Sequence, residues 1–156
     1  MLFRSETLNG VIALKRRIIE NLRPSSLPNL GLTASLEILT REFAQHSGIA
    51  VDTDLQEVDL SPALQLTVYR IVQESLTNIG KYAQARHATV RVQRHAAHVT
   101  VEIRDDGTGF TPGAVPAKSH GLAGMRHRVE AAGGHFAVHS QPGQGTVVSA
   151  DIPWGP

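Results

Sequence analysis

The spacing of apolar residues changes from helical to alternating near residue 85, and this change most strongly limits the possible folds. Before it, apolar residues recur at helical spacing in three segments, residues 6–21, 30–46 and 62–83. After it, two strand pairs, near residues 88–103 and 135–152, flank one helix at 121–132. Helices followed by a β-rich half predict an α+β sandwich, not the alternating βαβα order of a doubly wound sheet.

The first helical segment, residues 6–21, has an unusually complete apolar stripe for a chain terminus. It could pack on the core of this domain or form one helix of an intermolecular bundle, and the pattern alone does not decide between them. Pro24 and Pro28 predict a linker after it. Ser61 followed by Pro62 predicts the start of a later helix.

Composition excludes several classes of function. The 156 residues, 41% of them hydrophobic, suffice for one domain and a short appendage. A net charge of +1 gives no strong field for nucleic acid, and the absence of cysteine excludes disulfides and thiolate catalysis. No secretory signal or spanning stretch is visible, which predicts a cytoplasmic chain or the cytoplasmic end of a membrane-bound sensor.

The segment from Glu74 to Lys81 is a candidate metal and phosphate site. Glu74 and Asn78 stand at i, i+4 on the predicted helix, so their oxygens are neighbours. Carboxylate and amide oxygens suit Mg²⁺, and Lys81 could meet a phosphate. The alternative is an ordinary solvated helix flank.

Asp105 is a candidate purine-binding residue because it ends an alternating strand and precedes Gly107 and Gly109. An ionised carboxylate only accepts hydrogen bonds, whereas the exocyclic amine of adenine donates them. The glycines would allow a sharp turn and a close approach of ligand. The alternative is an ordinary Asp-Gly β-turn.

A third motif begins with Gly121 and continues through Leu122 to Gly124. It predicts a helix start whose free N–H groups attract anions, after a glycine- and proline-rich loop that could act as a lid. The alternative is a glycine helix cap behind a surface loop.

Taken together, the motifs resemble a known family. Their order, with Gly145-Thr146 at the end, resembles the ATP-binding catalytic domain of sensor histidine kinases, which shares the Bergerat fold with gyrase and heat-shock chaperone ATPases. The nitrate-sensor type is most similar, on the segments Leu22-Arg-Pro24, Tyr69 to Asn78 and Gly121 to Arg126. The fold that this implies is a two-layer α/β sandwich, with a mixed sheet covered on one face by helices.

The resemblance also implies roles for individual residues. Glu74 and Asn78 would hold Mg²⁺ at the ATP triphosphate, with Lys81 near the phosphates. Asp105 would bind the adenine amine. The positions that would shape the pocket, close the lid or support Asp105 are Gly107, Gly109, Gly121, Leu122, Gly124 and Thr146. Two positions depart from the family pattern: Tyr82 replaces a histidine, and His127 replaces a glutamate.

The family's phosphorylated histidine has no counterpart here, since the first histidine is His46, on a different helix. Residues 1–24 are therefore expected to be the end of a dimerisation helix with its linker, and residues 25–156 the catalytic domain. The implied partners are ATP, a dimerisation and phosphoacceptor domain of a homodimeric full-length kinase, and a response regulator. Three alternatives remain: an ATPase switch, an anti-sigma-type serine kinase, and a non-catalytic nucleotide-binding or dimerisation module.

Overall fold

The computed structural model describes residues 26–109 and 120–154. Within them, a five-stranded sheet packs against helices, and one π-helical turn follows the second helix. In chain order the elements are α1 (Ser26–Ser47), β1 (Ala50–Leu55), α2 (Pro62–Asn78), the π-helical turn (Ile79–Ala83), β2 (His87–Arg94), β3 (His98–Asp105), α3 (His120–Ala131), β4 (His135–Ser140) and β5 (Thr146–Pro153).

The sheet is mixed and has the order β1-β2-β3-β5-β4. β1 runs parallel to β2, and every other neighbouring pair is antiparallel. One face of the sheet is buried. Alternate residues of β3 point to this face, and Val99, Val101 and Ile103 are at most 1% exposed. Polar side chains occupy the other face, where Arg91 pairs with Asp54 at 3.6 Å. The expected two-layer α+β sandwich, with helices on one face of the sheet, is confirmed.

Helix α2 supplies the central contact with the sheet. Val68, Ile71 and Val72 are fully buried, at the helical spacing that the sequence predicted. The predicted start is also confirmed, because the Ser61 hydroxyl accepts the backbone N–H of Leu64 at 3.3 Å. Such a cap stabilises a helix by about 1 kcal/mol.

The predicted linker is wrong at its C-terminal end, because α1 already begins at Ser26. Proline is tolerated in the first turn of a helix, so Pro28 does not prevent this start. The helix is instead interrupted at Gly31, which has φ 82° and ψ 174°. Leu27 and Leu32, on either side of the interruption, are both buried.

The end of the second helix differs in type from the prediction. The chain remains helical to Ala83, as expected, but its last five residues form a π-helical turn. Gln84, in the left-handed region at φ 50°, ends it. Phe43 packs against this turn, since a Cβ on Gly80 would lie 3.2 Å from its ring.

Two sequence predictions, the helix at 6–21 and the 1–24 boundary, fall outside the described residues, and so does the predicted lid loop at 110–120 except for its last residue, which begins α3. Among the residues that are described, no helix has both the length and the apolar character needed to cross a membrane.

Candidate functional site

Asp105 ends β3 on the buried, helix-facing side of the sheet and is 7% exposed. Its Oδ1 accepts the backbone N–H of Gly107 at 2.8 Å, and the backbone N–H of Thr146 also donates to the carboxylate. Burial raises the pKa of Asp105; the Gly107 N–H opposes this, and the neighbouring Asp106 adds to it. The Asp105 carboxylate is thus a hydrogen-bond acceptor at the edge of the core, and a further donor would stabilise its ionised form.

The turn after Asp105 is pressed against the end of the π-helical turn. A Cβ on Gly107 would overlap the carbonyl oxygen of Ala83, which also accepts the backbone N–H of Thr108 at 2.7 Å. Gly109 has φ 65°, and a Cβ there would overlap the carbonyl oxygen of Gln141. Glycine is therefore required at both positions, and the turn directly contacts the segment that follows Asn78.

Asp106 makes a second connection at the same place. Its Oδ1 accepts the backbone N–H groups of Arg86 at 2.9 Å and His87 at 3.0 Å. Both hydrogen bonds lower the pKa of the Asp106 carboxyl, and the bond from His87 has the larger effect. The sequence reasoning missed this residue, although Asp is a common acceptor for nearby backbone N–H groups in turns.

Glu74 and Asn78 are half-buried on the flank of α2, and the first turn of α3 lies beside them. A Cβ on Gly121 would lie 2.8 Å from Glu74 Oε2 and 3.8 Å from Asn78 Nδ2. The absence of a side chain at Gly121 therefore lets the start of a helix approach a carboxylate and an amide. Glu74 and Asn78 are neighbours, as their spacing on the helix predicted, and the structure also brings Gly121 next to them.

Contacts from three side chains of α3 hold its first turn in this position. Met125 is 1% exposed, and its Sδ lies 3.7 Å from the Ser75 hydroxyl on α2. Arg126 stacks over the Phe136 ring at 5.2 Å and donates to the Phe136 carbonyl at 3.2 Å. Leu122 is half-buried against the core. The middle of α3 is thus fixed to both α2 and β4.

Three other residues named from the sequence are exposed to solvent. Gly124 is exposed, and apart from its chain neighbours and its own helical backbone no described heavy atom lies within 4 Å of where its Cβ would be. Lys81 and Tyr82 are exposed on the π-helical turn. Lys81 forms no ion pair of 4.0 Å or less within the described part of the chain.

The donor set for a metal ion is small. The described residues contain no cluster of three or more His, Asp or Glu side chains suited to a metal. Glu74 and Asn78 together offer carboxylate and amide oxygens on adjacent helical turns. That set fits a hard cation such as Mg²⁺, which keeps waters and phosphate oxygens in its coordination shell.

Comparisons with known proteins give one consistent picture. A family model described as histidine kinase-, DNA gyrase B-, and HSP90-like ATPase matches residues 63–156. The chain is 35% identical over 144 residues to the signal transduction histidine-protein kinase/phosphatase DegS of Brevibacillus brevis, covering 91% of the chain and 37% of that protein. It is 36% identical over 141 residues to the oxygen sensor histidine kinase NreB of Staphylococcus carnosus, covering 88% of the chain and 41% of that protein.

The chain thus spans less than half the length of these two relatives. Among solved structures, it is similar to the histidine kinase domain from the Erythrobacter litoralis EL346 blue-light activated histidine kinase. The TM-score is 0.69 at 24% identity, covering 79% of the chain and 61% of that structure. At this level of identity, the structural similarity supports the fold.

Proposed function

Because the chain belongs to the family of histidine kinase-, DNA gyrase B- and HSP90-like ATPases, we propose that it is the ATP-binding catalytic domain of a two-component sensor histidine kinase. The residues that match the family, 63–156, include all three motifs. The kinase assignment is supported by the two curated relatives, both named as histidine kinases, which align with 91% and 88% of the chain.

The observation that best supports the proposal is the meeting of three distant motifs around the C-terminal half of α2. Gly107 packs on Ala83, shortly after Asn78, and Gly121 approaches Glu74. In this proposal, the buried acceptor Asp105 and the oxygen-bearing flank of α2 beside the start of α3 are the two ends of one nucleotide site. A purine attached to a chain of phosphates has the matching sequence of chemical groups.

In this proposal, Asp105 accepts a hydrogen bond from the exocyclic amine of adenine. Gly107 and Gly109 would shape the base pocket, because side chains there would overlap the Ala83 and Gln141 carbonyls and displace the turn that follows Asp105. Thr146 supports Asp105 through the backbone N–H that already donates to the carboxylate.

At the other end, Glu74 and Asn78 would hold Mg²⁺, with Asn78 the more direct ligand. When bound, the ion would neutralise charge on the β- and γ-phosphates. Gly121 and Gly124 leave space for the phosphates at the start of α3, where free N–H groups favour anions, and Leu122 anchors that turn. The exposed ammonium of Lys81 would approach the phosphates from the π-helical turn.

The proposed reaction breaks the bond between the γ-phosphorus and the bridging oxygen of ATP, and forms a phosphorus–nitrogen bond to histidine. ADP leaves, and a base on the acceptor domain takes the histidine proton. This chain's share is to position the nucleotide and offset its charge. The acceptor would lie on a dimerisation domain of a homodimeric, cytoplasmic or membrane-attached kinase, which then phosphorylates a response regulator; no nucleic acid takes part.

A phosphotransfer assay with ATP labelled on the γ-phosphate tests this function. The chain alone is expected to acquire no acid-labile phosphate. The addition of the kinase's histidine-bearing dimerisation domain should give acid-labile label on that domain, dependent on this chain. A Ser149→Ala variant, altered on the opposite face of β5, serves as the matched active control.

The same assay separates the alternatives. Free phosphate released without transfer would indicate an ATPase switch, and acid-stable label on a partner would indicate a serine kinase. Nucleotide binding without turnover would indicate a binding module. Acid-labile label on this chain alone would contradict the expected position of the acceptor histidine.

A further inference from the structure

One hydroxyl of α2 donates its hydrogen bond to another helix. Serine and threonine side chains inside a helix commonly bond a backbone carbonyl one turn earlier in the same helix. The hydroxyls that do so here, each with the carbonyl four residues back, are those of Ser35, Thr40, Ser47, Thr67 and Thr77. The Ser75 hydroxyl instead donates to the Sδ of Met125 on α3 at 3.7 Å, and a thioether sulfur can only accept. The proposed function assigns neither residue a role.

Both groups of this contact are buried, since Ser75 is 2% and Met125 is 1% exposed. A buried hydroxyl needs a partner, and a hydrogen bond has a preferred length and angle. The contact therefore favours one position of α3 along α2. The apolar packing of Val129, which is fully buried one turn further along α3, is non-directional and does not select a position in this way.

The contact lies one helical turn from the phosphate end of the proposed site. Ser75 directly follows Glu74 on α2, and Met125 comes four residues after Gly121 on α3. Residues four apart lie on the same face of a helix, so Gly121 and Met125 both face α2. The close approach of Gly121 to Glu74, where a Cβ would lie 2.8 Å from Oε2, is thus supported from the next turn by the Ser75–Met125 contact.

We propose that Ser75 and Met125 are positioning residues for the triphosphate, because their contact fixes the start of α3 beside the Glu74–Asn78 flank of α2. This inference rests on the proposed ATP site. Neither side chain contacts the nucleotide. Both act through the distance between the N–H groups of α3 that favour phosphate and the oxygens that would hold Mg²⁺. Loss of the contact weakens binding of the phosphates, whereas Asp105, at the end of β3, continues to bind the base.

The test compares ATP with adenosine, which has the same base and no phosphate. Binding of ATP with Mg²⁺ is measured by calorimetry, and the weaker binding of adenosine by nuclear magnetic resonance titration. Ser75→Ala removes the donor and little volume. Affinity for ATP is expected to fall by about fivefold, as for the loss of one hydrogen bond, with affinity for adenosine unchanged.

Ser35→Ala is the matched control. Ser35 is as deeply buried, at 1% exposed, but its hydroxyl bonds the Gly31 carbonyl within α1. The substitution is identical and removes a buried hydrogen bond that does not connect two helices. Both affinities should remain near those of the unsubstituted chain.

A second variant, Met125→Leu, removes the acceptor while keeping a similar volume. Affinity for ATP is expected to fall by about fivefold again, with affinity for adenosine unchanged. Because both substitutions remove the same bond, the double variant should lose no more than either single variant, as a double-mutant cycle would show. If one of the two variants does not fold, the other still tests the inference against Ser35→Ala.

Three results would overturn the inference alone: unchanged ATP affinity in the folded Ser75 and Met125 variants, equal losses for ATP and adenosine, or losses that add in the double variant. The second result would mean that the contact only stabilises the fold. Failure of the unsubstituted chain to bind ATP would overturn both the inference and the proposed function.

Discussion

Replacement of Asp105 by asparagine is expected to weaken ATP binding by about 100-fold, because a hydrogen bond to a charged group contributes about 1.5–3 kcal/mol and an unmatched donor adds to its loss. One carboxylate oxygen already accepts the Gly107 N–H at 2.8 Å, and Thr146 also donates to this group. Asparagine would have to place an NH₂ group against one of these N–H donors or against the adenine amine. Calorimetry of ATP with Mg²⁺ measures the loss.

Asp106→Asn is the matched control for this variant. The substitution is chemically identical and lies one residue further on, but the Oδ1 of Asp106 accepts the backbone N–H groups of Arg86 and His87. An asparagine oxygen can accept the same bonds. ATP affinity is expected to remain near that of the unsubstituted chain. Unchanged affinity in Asp105→Asn, or equal losses in both variants, would place adenine recognition elsewhere.

The second large effect is expected for Asn78→Ala, in which ATP binding should lose most of its dependence on Mg²⁺. Asn78 offers an amide oxygen one helical turn after Glu74, beside Gly121. Loss of a single group that orients or binds a metal commonly lowers metal affinity by about 10- to 100-fold. The measurement is ATP affinity over a series of Mg²⁺ concentrations, with phosphotransfer to the dimerisation domain measured alongside it.

Thr77→Ala is the control for Asn78→Ala. Thr77 is exposed on the same helical turn, and its hydroxyl donates to the Gln73 carbonyl at 2.8 Å. The control therefore introduces the same residue, alanine, at a neighbouring position of the same helix. This variant should keep the metal dependence of the unsubstituted chain. If Asn78→Ala responded to Mg²⁺ in the same way, the metal ligand would have to be another residue.

Much of the fold could be predicted because its determinants are local. The Ser61-Pro62 start of α2, the alternation through β2 and β3, and Asp105 at the end of a buried strand all follow from short-range rules. Glu74 and Asn78 could be placed together for the same reason, since i, i+4 spacing on a helix brings side chains together. The order of the motifs then predicted the family that the comparisons show.

The remaining features depend on tertiary contacts that a sequence pattern does not contain. The start of helix α1 at Ser26 buries Leu27 in the core, and the sequence pattern does not contain that contact. The close approach of Gly107 to Ala83 requires β3 and the end of the π-helical turn to meet in space. The pairing of Ser140 with Thr146 likewise depends on the register of two strands in the folded sheet.

The central claim is that the Asp105 turn and the Glu74–Asn78 flank bind one ligand. The most direct test is a nuclear magnetic resonance titration of the isotope-labelled chain with ATP and Mg²⁺, following the backbone amides of Gly107 and Gly121 and the side-chain amide of Asn78. The account predicts that all three signals shift together with one dissociation constant. Shifts at only one end of the cleft, or separate dissociation constants for its two ends, would contradict it.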